Sequence, residues 1–269
     1  MSVSPTPDLA AAEPLLLSRV EDGVGWLTLN RPAARNALSL ALLDALDQAL
    51  IRIAEDKAVR VVVIAGAGPA FCAGHDLKEL RANPGRAAYE ALFQRCSVTM
   101  TRIVRLPKPV IAMVQGVATA AGCQLAASCD LVVAADTARF ATPGVNIGLF
   151  CSTPMVALSR AIGRKPAMEM LLTGDAIPAA KAQELGLVNR VVPAAELEAA
   201  TATLARQIAG KSPLTLAIGK AAFYAQAEMS LDDAYAHAAE AMTRNMLAHD
   251  AAEGIDAFIG KRAPHWTGS

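Results

Sequence analysis

Two stretches of small residues have the pattern of paired anion-binding turns. The first runs over residues 70–80 and reads AFCAGHDLKEL, and the second runs over residues 116–130 and reads GVATAAGCQLAASCD. Each follows an apolar run and leads into a helix-like run. Small residues let a ligand approach the backbone, and the first N–H groups of a helix have no partner inside it. If the turns face each other, they offer an oxyanion hole, two N–H donors for an oxygen that becomes negative during a reaction. Close packing of a strand against a helix would require similar residues.

The segments that position these turns alternate between strands and helices. The pattern predicts strands at residues 15–20, 24–30, 59–65, 109–115, 130–134 and 187–192, and helices at 39–55, 123–128, 165–172 and 179–185. Asp76 should begin a short helix. Ser39 should cap the helix predicted at residues 39–55. Alternation of this kind predicts an α/β fold with helices outside the sheet.

The C-terminal part is expected to contain helices alone, at residues 195–208, 214–227, 231–249 and 251–259. Several of these are apolar on more than one face, which favours packing against another subunit. Packing on the chain's own core is the alternative. The sequence therefore divides into a mobile tail (1–14), an α/β core (15–193) and a helical region for oligomerisation (194–269).

Composition excludes several classes of function. The 269 residues are 54% hydrophobic, and 25 basic residues balance 25 acidic ones. No long basic tract is present, which argues against a nucleic-acid partner. No apolar run approaches the roughly 20 residues of a membrane span. Five cysteines without metal-binding spacing indicate reduced, buried thiols. Reduced thiols indicate a cytoplasm-like compartment, so we expect a cytoplasmic location. The N-terminus has neither signal-peptide nor transit-peptide character.

Both turns resemble segments of a known family. Residues 71–77 (FCAGHDL) and 116–124 (GVATAAGCQ) are similar to the two oxyanion-hole segments of the crotonase, or enoyl-CoA hydratase/isomerase, superfamily. Residues 30–38 (NRPAARNAL) are similar to its early signature, and LTGD, GLVN and FIGKR to later landmarks. Residues 140–154 (FATPGVNIGLFCSTP) most resemble the subgroup of enoyl-CoA hydratase domain-containing protein 3. The resemblance covers about residues 15–266.

The resemblance implies a crotonase-like spiral of ββα units with a C-terminal helical trimerisation region. It implies a homotrimer or a dimer of trimers that processes an acyl-CoA thioester, with coenzyme A as part of the substrate and no separate cofactor. The N–H groups of His75 and Ala121 would form the oxyanion hole. Residues that would contact the substrate or its CoA portion are Arg35, Ala37, Ala73, Gly74, Asp76, Leu77, Ala120, Pro143, Phe150, Cys151 and, from a neighbouring subunit, Lys261. Arg35 could equally be a solvated charge.

Both catalytic glutamates of the hydratases are replaced in this chain. Gln124 occupies the first position and Gly144 the second. An amide can position water but cannot accept a proton as a general base, and glycine has no side chain to offer. Since general acid–base catalysis is worth roughly 10²–10⁴-fold per group, standard hydration is not expected to be efficient. Asn146 likewise replaces the acid of the dienoyl-CoA isomerase branch.

Three readings of the function remain open at this point. The first is an enzyme of the enoyl-CoA hydratase/isomerase type that stabilises an enolate without the two glutamates. The second is an acyl-CoA decarboxylase, because some decarboxylases of the superfamily also carry a histidine at position 75. The third is a non-catalytic acyl-CoA-binding or regulatory protein. The His75 ring is expected to point to solvent or to CoA, and Cys151 to line the pocket rather than to act as a nucleophile.

Overall fold

The computed structural model describes residues 13–269. The predicted tail at residues 1–14 lies outside this range except for its last two residues. The strands are β1 (Leu16–Glu21), β2 (Val24–Leu29), β3 (Val61–Gly66), β4 (Ala70–Cys72), β5 (Val110–Val114), β6 (Val117–Thr119), β7 (Leu131–Ala135), β8 (Arg139–Ala141), β9 (Ile177–Pro178) and β10 (Arg190–Val192).

The helices surround these strands. They are α1 (Leu40–Glu55), α2 (Leu77–Ala82), α3 (Arg86–Arg105), α4 (Ala121–Ser128), α5 (Pro154–Ala161), α6 (Arg164–Thr173), α7 (Ala179–Glu184), α8 (Leu197–Ala209), α9 (Pro213–Gln226), α10 (Leu231–Met246) and α11 (His249–Ile259). The predicted 231–249 helix in fact ends at Met246, and α11 begins at His249.

The strands form two sheets. The larger has the order β1-β2-β3-β5-β7-β10 and is parallel except for the β1–β2 hairpin. Its central strands are almost wholly buried, which explains their continuous β-branched sequence, as in Val61-Val62-Val63-Ile64. The smaller sheet has the order β4-β6-β8-β9, and its β4, β6 and β8 strands are parallel.

The chain passes repeatedly from the larger sheet to the smaller sheet and then into a helix. The order β3-β4-α2 is followed by β5-β6-α4 and then by β7-β8, a 3₁₀ turn and α5. Because β4, β6 and β8 are parallel neighbours, their carboxyl ends lie at one edge of the smaller sheet. The turns that follow these three strands are therefore brought side by side, and they and the helices that they begin contain most of the predicted site residues.

The C-terminal helices pack partly on the core of their own chain. Helix α8 covers the larger sheet, and α9 is anchored through Lys220 and Tyr224 to Asp130. Much apolar surface nevertheless stays exposed on α9, α10 and α11 in the single chain, including Phe223, Tyr235, Met242, Leu247, Phe258 and Ile259. The C-terminal helices thus pack in part on the chain's own core, as one alternative predicts, and they also leave apolar surface uncovered, as the subunit-packing alternative requires.

Two general features concern membranes and metals. Among residues 13–269, none of the helices combines the length and the apolar character that crossing a membrane requires. Within the same range, no group of three or more histidine, cysteine or acidic side chains is arranged to hold a metal ion.

Candidate active site

The turn that contains His75 is held by a short segment, residues 31–38, which we call the strap. The backbone N–H of Leu38 donates to the carbonyl of Gly74 (2.7 Å), and the N–H of Asp76 donates to the carbonyl of Leu38 (3.2 Å). Leu38 therefore bonds to the residues on either side of His75. In a trans peptide the carbonyl of Gly74 and the N–H of His75 point in opposite directions, so this N–H points away from the strap.

The turn that contains Ala121 begins helix α4. Ala120 precedes the helix with φ 51° and ψ −119°, a conformation that L-residues rarely adopt. Its N–H donates to the carbonyl of Ala141 (2.9 Å), which joins this turn to the end of β8. A Cβ on Gly122 would overlap the carbonyl of Cys72, so glycine is needed for α4 to lie against the first turn.

The two turns are in direct contact. A Cβ built on Gly74 would lie 2.9 Å from the Cβ of Ala120 and 3.4 Å from the backbone nitrogen of Ala121. Within residues 13–269, neither the N–H of His75 nor that of Ala121 donates to a carbonyl or side chain. Two free donors from adjoining turns can bind a carbonyl oxygen together. Their joint action as an oxyanion hole remains a prediction.

The imidazole of His75 is the most unusual side chain of the site. Its ring packs edge-on against Phe93 of α3, with 5.5 Å between the ring centroids and 70° between their planes. Both ring nitrogens are shielded from water, and neither makes a hydrogen bond with any described residue. Burial lowers the pKa of the imidazole, and the nearby carbonyl of Leu38 only partly offsets this decrease. Burial therefore favours the neutral ring. Of the two expected orientations, solvent is wrong because both ring nitrogens are shielded, and CoA stays a prediction.

Gln124 is buried one helical turn after Ala121. The thiol of Cys96 in α3 lies 4.0 Å from its Oε1, near enough for a weak S–H···O contact. Cys96 and Phe93 are three residues apart and lie on one face of α3, so the same helix covers both Gln124 and His75. The amide is neutral at all pH values in the physiological range and offers donors and an acceptor but no base.

Gly144, which the sequence resemblance assigns to the family's second glutamate position, lies in a turn that leaves no room for a side chain. A Cβ would lie 2.5 Å from the carbonyl oxygen of Leu149 and 2.9 Å from the Sγ of Cys151. The N–H of Leu149 also donates to the carbonyl of Gly144 (2.9 Å), which fixes this turn. The thiol of Cys151 thus occupies the space into which a residue-144 side chain would extend.

All five cysteines are free and buried, as the sequence predicts. Burial raises the pKa of Cys72, Cys96 and Cys123 to about 12. Burial also raises the pKa of Cys151, although a hydrogen bond from the Gly144 backbone moderates the effect. A neutral thiol is a poor nucleophile, which agrees with the expectation that Cys151 lines the pocket.

The structure brings some of the predicted substrate contacts together. The N–H of Ala73 donates to the carbonyl of Arg35 (3.0 Å), so the strap joins the first turn at this point too. The side chains of Arg35 and Leu77 are exposed beside this junction, and Ala37 is buried within it. Near the Gly144 turn, Pro143 begins the 3₁₀ helix and Phe150 is 42% exposed.

Lys261 lies apart from this group. It follows α11 on the surface, with a φ of 50°, and it makes no described hydrogen bond with the two turns. Its suggested contact with the substrate of a neighbouring subunit stays a prediction.

Four contributors to the site were not predicted as functional residues. Arg31 and Asn36 belong to the strap, and Phe93 and Cys96 belong to α3. The i, i+4, i+7, i+8, i+11 spacing of the buried α3 residues was a usable helix signal; they are Leu92, Cys96, Thr99, Met100 and Ile103. By contrast, the sequence gives no signal for a role of Arg31 or Asn36, because their hydrogen-bond partners can be seen only in the folded chain.

Comparison with known proteins gives consistent results. A family profile described as "Enoyl-CoA hydratase/isomerase" matches residues 19–269. The chain is 49% identical over 262 residues to mouse "Enoyl-CoA hydratase domain-containing protein 3, mitochondrial", covering 97% of this chain and 87% of the relative. A human protein of the same name is 49% identical over 250 residues, covering 93% and 82%.

Solved structures agree with these relatives. The crystal structure of the human protein has a TM-score of 0.92 at 49% identity and covers 94% of this chain and 100% of the other. An enoyl-CoA hydratase from Mycobacterium smegmatis also has a TM-score of 0.92, at 55% identity, and covers 94% and 99%.

The predicted cytoplasmic location is wrong on this comparison. The mouse, rat and human relatives are all named as mitochondrial proteins. Reduced, buried cysteines do not distinguish the cytoplasm from other reducing compartments, so the sequence argument could not support the narrower conclusion.

Proposed function

Because the chain belongs to the enoyl-CoA hydratase/isomerase family, we propose that it binds an acyl-CoA thioester and holds the thioester oxygen between the N–H groups of His75 and Ala121. The fold is the crotonase fold, as the sequence resemblance predicts. The observation that carries the proposal is the pair of free backbone donors on two turns that touch each other. Such donors stabilise an enolate, since its negative charge is shared with the thioester oxygen.

The side chains around this oxygen favour reactions that need no protein base. Gln124 is an amide, the Gly144 turn admits no side chain, and Cys151 keeps its proton. Decarboxylation of an acyl-CoA with a carboxylate on its α-carbon meets this condition. The bond between the α-carbon and the carboxylate breaks, CO₂ leaves, and the electron pair becomes the enolate. A proton from water then completes the product.

The neutral imidazole of His75 supports this reading. Both ring nitrogens are shielded from water, so in this conformation the ring serves neither as a hydrogen-bond partner nor as a base for the acyl portion. Burial disfavours its charged form, so the ring adds no charge to the pocket.

A non-catalytic acyl-CoA-binding protein is the second candidate. The observation that favours it is the backbone of the Gly144 turn, because replacing both glutamates removes acid–base catalysis while the free N–H groups remain. Binding alone requires only these donors and the CoA contacts.

One set of assays separates the two candidates. Crotonyl-, malonyl- and methylmalonyl-CoA are incubated with the protein and followed by mass change, and butyryl-CoA serves as an inert ligand in thermal unfolding. Turnover of a malonyl-type thioester supports the enzyme. Stabilisation by butyryl-CoA without any turnover supports the binding protein, and neither turnover nor stabilisation would contradict the proposed function altogether.

We also propose that the active form is a homotrimer or a dimer of trimers. The support is the apolar surface that α9, α10 and α11 leave exposed in the single chain, where Leu247 is 84% and Phe258 is 85% exposed. Several large apolar side chains exposed on neighbouring helices are typical of subunit interfaces.

A further inference from the structure

The N–H of His75 can act only if the backbone around it keeps one orientation. The two backbone bonds to Leu38 set this orientation, and they depend on the position of the strap. A search for what holds the strap in place leads to Arg31, at its first residue.

Arg31 bridges the strap and the turn. Its guanidinium donates to the carbonyl of Ala37, which precedes Leu38, and to the Oδ2 of Asp76 (2.8 Å), which follows His75. Both charged side chains are largely buried, with 22% and 14% of their surface exposed. The bridge therefore joins the two sides of the backbone bonds that flank His75. Because both side chains are largely shielded from bulk water, their attraction is stronger than that of an exposed pair.

Asp76 uses its second oxygen to begin α2. Its Oδ1 accepts hydrogen bonds from the N–H groups of Lys78 (3.1 Å) and Glu79 (3.3 Å). The Glu79 carboxylate in turn accepts a bond from the N–H of Leu40, at the start of α1 (3.1 Å). Asp76 is thus shared between the helix and Arg31, and a change at Arg31 frees only one of its two oxygens.

Asn36 holds the backbone of Arg31 in place. It is buried in a left-handed conformation (φ 55°), and its Oδ1 accepts the backbone N–H of Arg31 (2.9 Å). Its amide donates to the carbonyls of Ala67 and Ala70, in the β3–β4 connection. The backbone of Arg31 is therefore anchored to the core independently of its side chain.

We propose that Arg31 is a positioning residue that acts through Asp76 and the Ala37 carbonyl to aim the N–H of His75 at the thioester oxygen. This inference rests on the proposed function, because it assumes that the His75 N–H meets a thioester. Arg31 itself touches no reacting atom. Its planar guanidinium reaches two acceptors at once, which the single ammonium of a lysine reproduces poorly.

The test measures polarisation of the thioester carbonyl directly. Butyryl-CoA labelled with ¹³C at the thioester carbonyl is bound to the protein, and isotope-edited infrared spectra give the carbonyl frequency. A carbonyl held by two N–H donors absorbs at lower frequency than in water. We expect Arg31→Met and Asp76→Asn to lose at least half of this shift while butyryl-CoA still binds, and Arg31→Lys to recover part of it.

Controls separate positioning from general damage. Arg160→Met removes an arginine from an exposed pair with Glu228 (2.9 Å) and should keep the full shift. If Arg31 acts through Asp76, the double variant should lose no more than the larger single loss. For any thioester that the wild type turns over, kcat should fall about 10–100-fold with a smaller change in KM. Should Arg31→Met not fold, Asp76→Asn keeps the cap on α2 and carries the test.

The outcomes distinguish this inference from the proposed function. A wild-type shift that persists in both Arg31→Met and Asp76→Asn would overturn the positioning role alone. A wild-type complex without any shift would overturn the oxyanion hole, and the role of Arg31 with it.

Discussion

At the scale of single residues, Gly144 limits which side chains the proposed site can contain. The carbonyl of Leu149 and the thiol of Cys151 fill the space that a side chain at this position needs. The resemblance assigns Gln124 and Gly144 to the positions of the family's two glutamates. Because the turn has no room for a side chain at residue 144, the double variant Gln124→Glu with Gly144→Glu should not hydrate crotonyl-CoA.

Substitution of glycine by alanine tests this crowding. Gly144→Ala should destabilise the protein by about 1–3 kcal/mol, because the methyl group displaces packed backbone. Gly219→Ala is the matched control: Gly219 lies in α9 with open space around it, and alanine there should stabilise by about 0.5–1 kcal/mol. Urea unfolding measures both, and equal effects would contradict the crowded turn.

Ala120 stores backbone strain beside the predicted oxyanion hole. Its φ of 51° is unfavourable for alanine but readily adopted by glycine, so Ala120→Gly should raise the free energy of unfolding by about 1 kcal/mol. Ala221→Gly, in the interior of α9, should lower it by about 0.5–1 kcal/mol. A loss of stability in Ala120→Gly would show that the turn is not strained.

The neutral ring of His75 makes stability depend on pH. Burial lowers its folded-state pKa below the ordinary value of 6.5, so the unfolded chain takes up a proton first as pH falls. Stability contributed by the neutral ring is thus complete above pH 6.5 and decreases below it. His75→Gln should flatten the decrease in unfolding free energy between pH 7 and pH 5, with His265→Gln as the matched histidine control. An unchanged slope would mean that the ring is not buried as described.

At the scale of elements, α9 is held by a buried charge cluster. The Lys220 ammonium donates to Asp130 Oδ2 (2.7 Å) and to the carbonyls of Ile103 and Lys108, and Tyr224 donates to the other oxygen of Asp130. Burial lowers the pKa of Lys220, while Asp130 favours its charged form. The cluster ties α9 to the connection between α4 and β7.

Removing the lysine should leave Asp130 without its partner charge. Lys220→Met is expected to cost about 3–5 kcal/mol, as for other broken buried pairs. Lys181→Met breaks an exposed pair with Glu184 (2.9 Å) and should leave the free energy of unfolding nearly unchanged. Similar losses in the two variants, measured by urea unfolding, would contradict the anchoring of α9 through Lys220.

The elements also show what a sequence can and cannot reveal. Buried strands such as β3 can be recognised from runs of β-branched residues, and the two turns can be recognised from their small residues. Helix α3 was not predicted although its buried residues recur at helical spacing; it begins after Gly85, which offers no side-chain cap. The short strands β4, β6 and β8 have three residues each, too few for a pattern, although their pairing brings the three turns together.

The same limit applies to the site. His75, Ala121, Gln124 and Gly144 are selected because their motifs resemble those of the family, and their roles stay predictions. The proposed role of Arg31 depends on Ala37 and Asp76, which lie 6 and 45 positions further along the chain. Only the folded backbone brings them within hydrogen-bond distance. Crowding at Gly144 likewise depends on the positions that Leu149 and Cys151 take in the folded chain.

At the scale of the whole molecule, the apolar surface of the C-terminal helices predicts self-association. Replacing Leu247 and Phe258 together by glutamate should convert a trimer or hexamer into smaller species without loss of helical circular dichroism, because both side chains are exposed in the single chain. Light scattering coupled to size-exclusion chromatography gives the mass. Val20→Glu, on the edge strand β1, is the exposed apolar control. A monomeric wild type would contradict the oligomer.

The account depends on one arrangement, in which a thioester oxygen meets two backbone donors. A crystal structure of the protein with butyryl-CoA tests this most directly. We predict that the thioester oxygen lies about 2.7–3.1 Å from the nitrogens of both His75 and Ala121. An acyl group bound elsewhere, or an oxygen that reaches only one of the two nitrogens, would contradict the account.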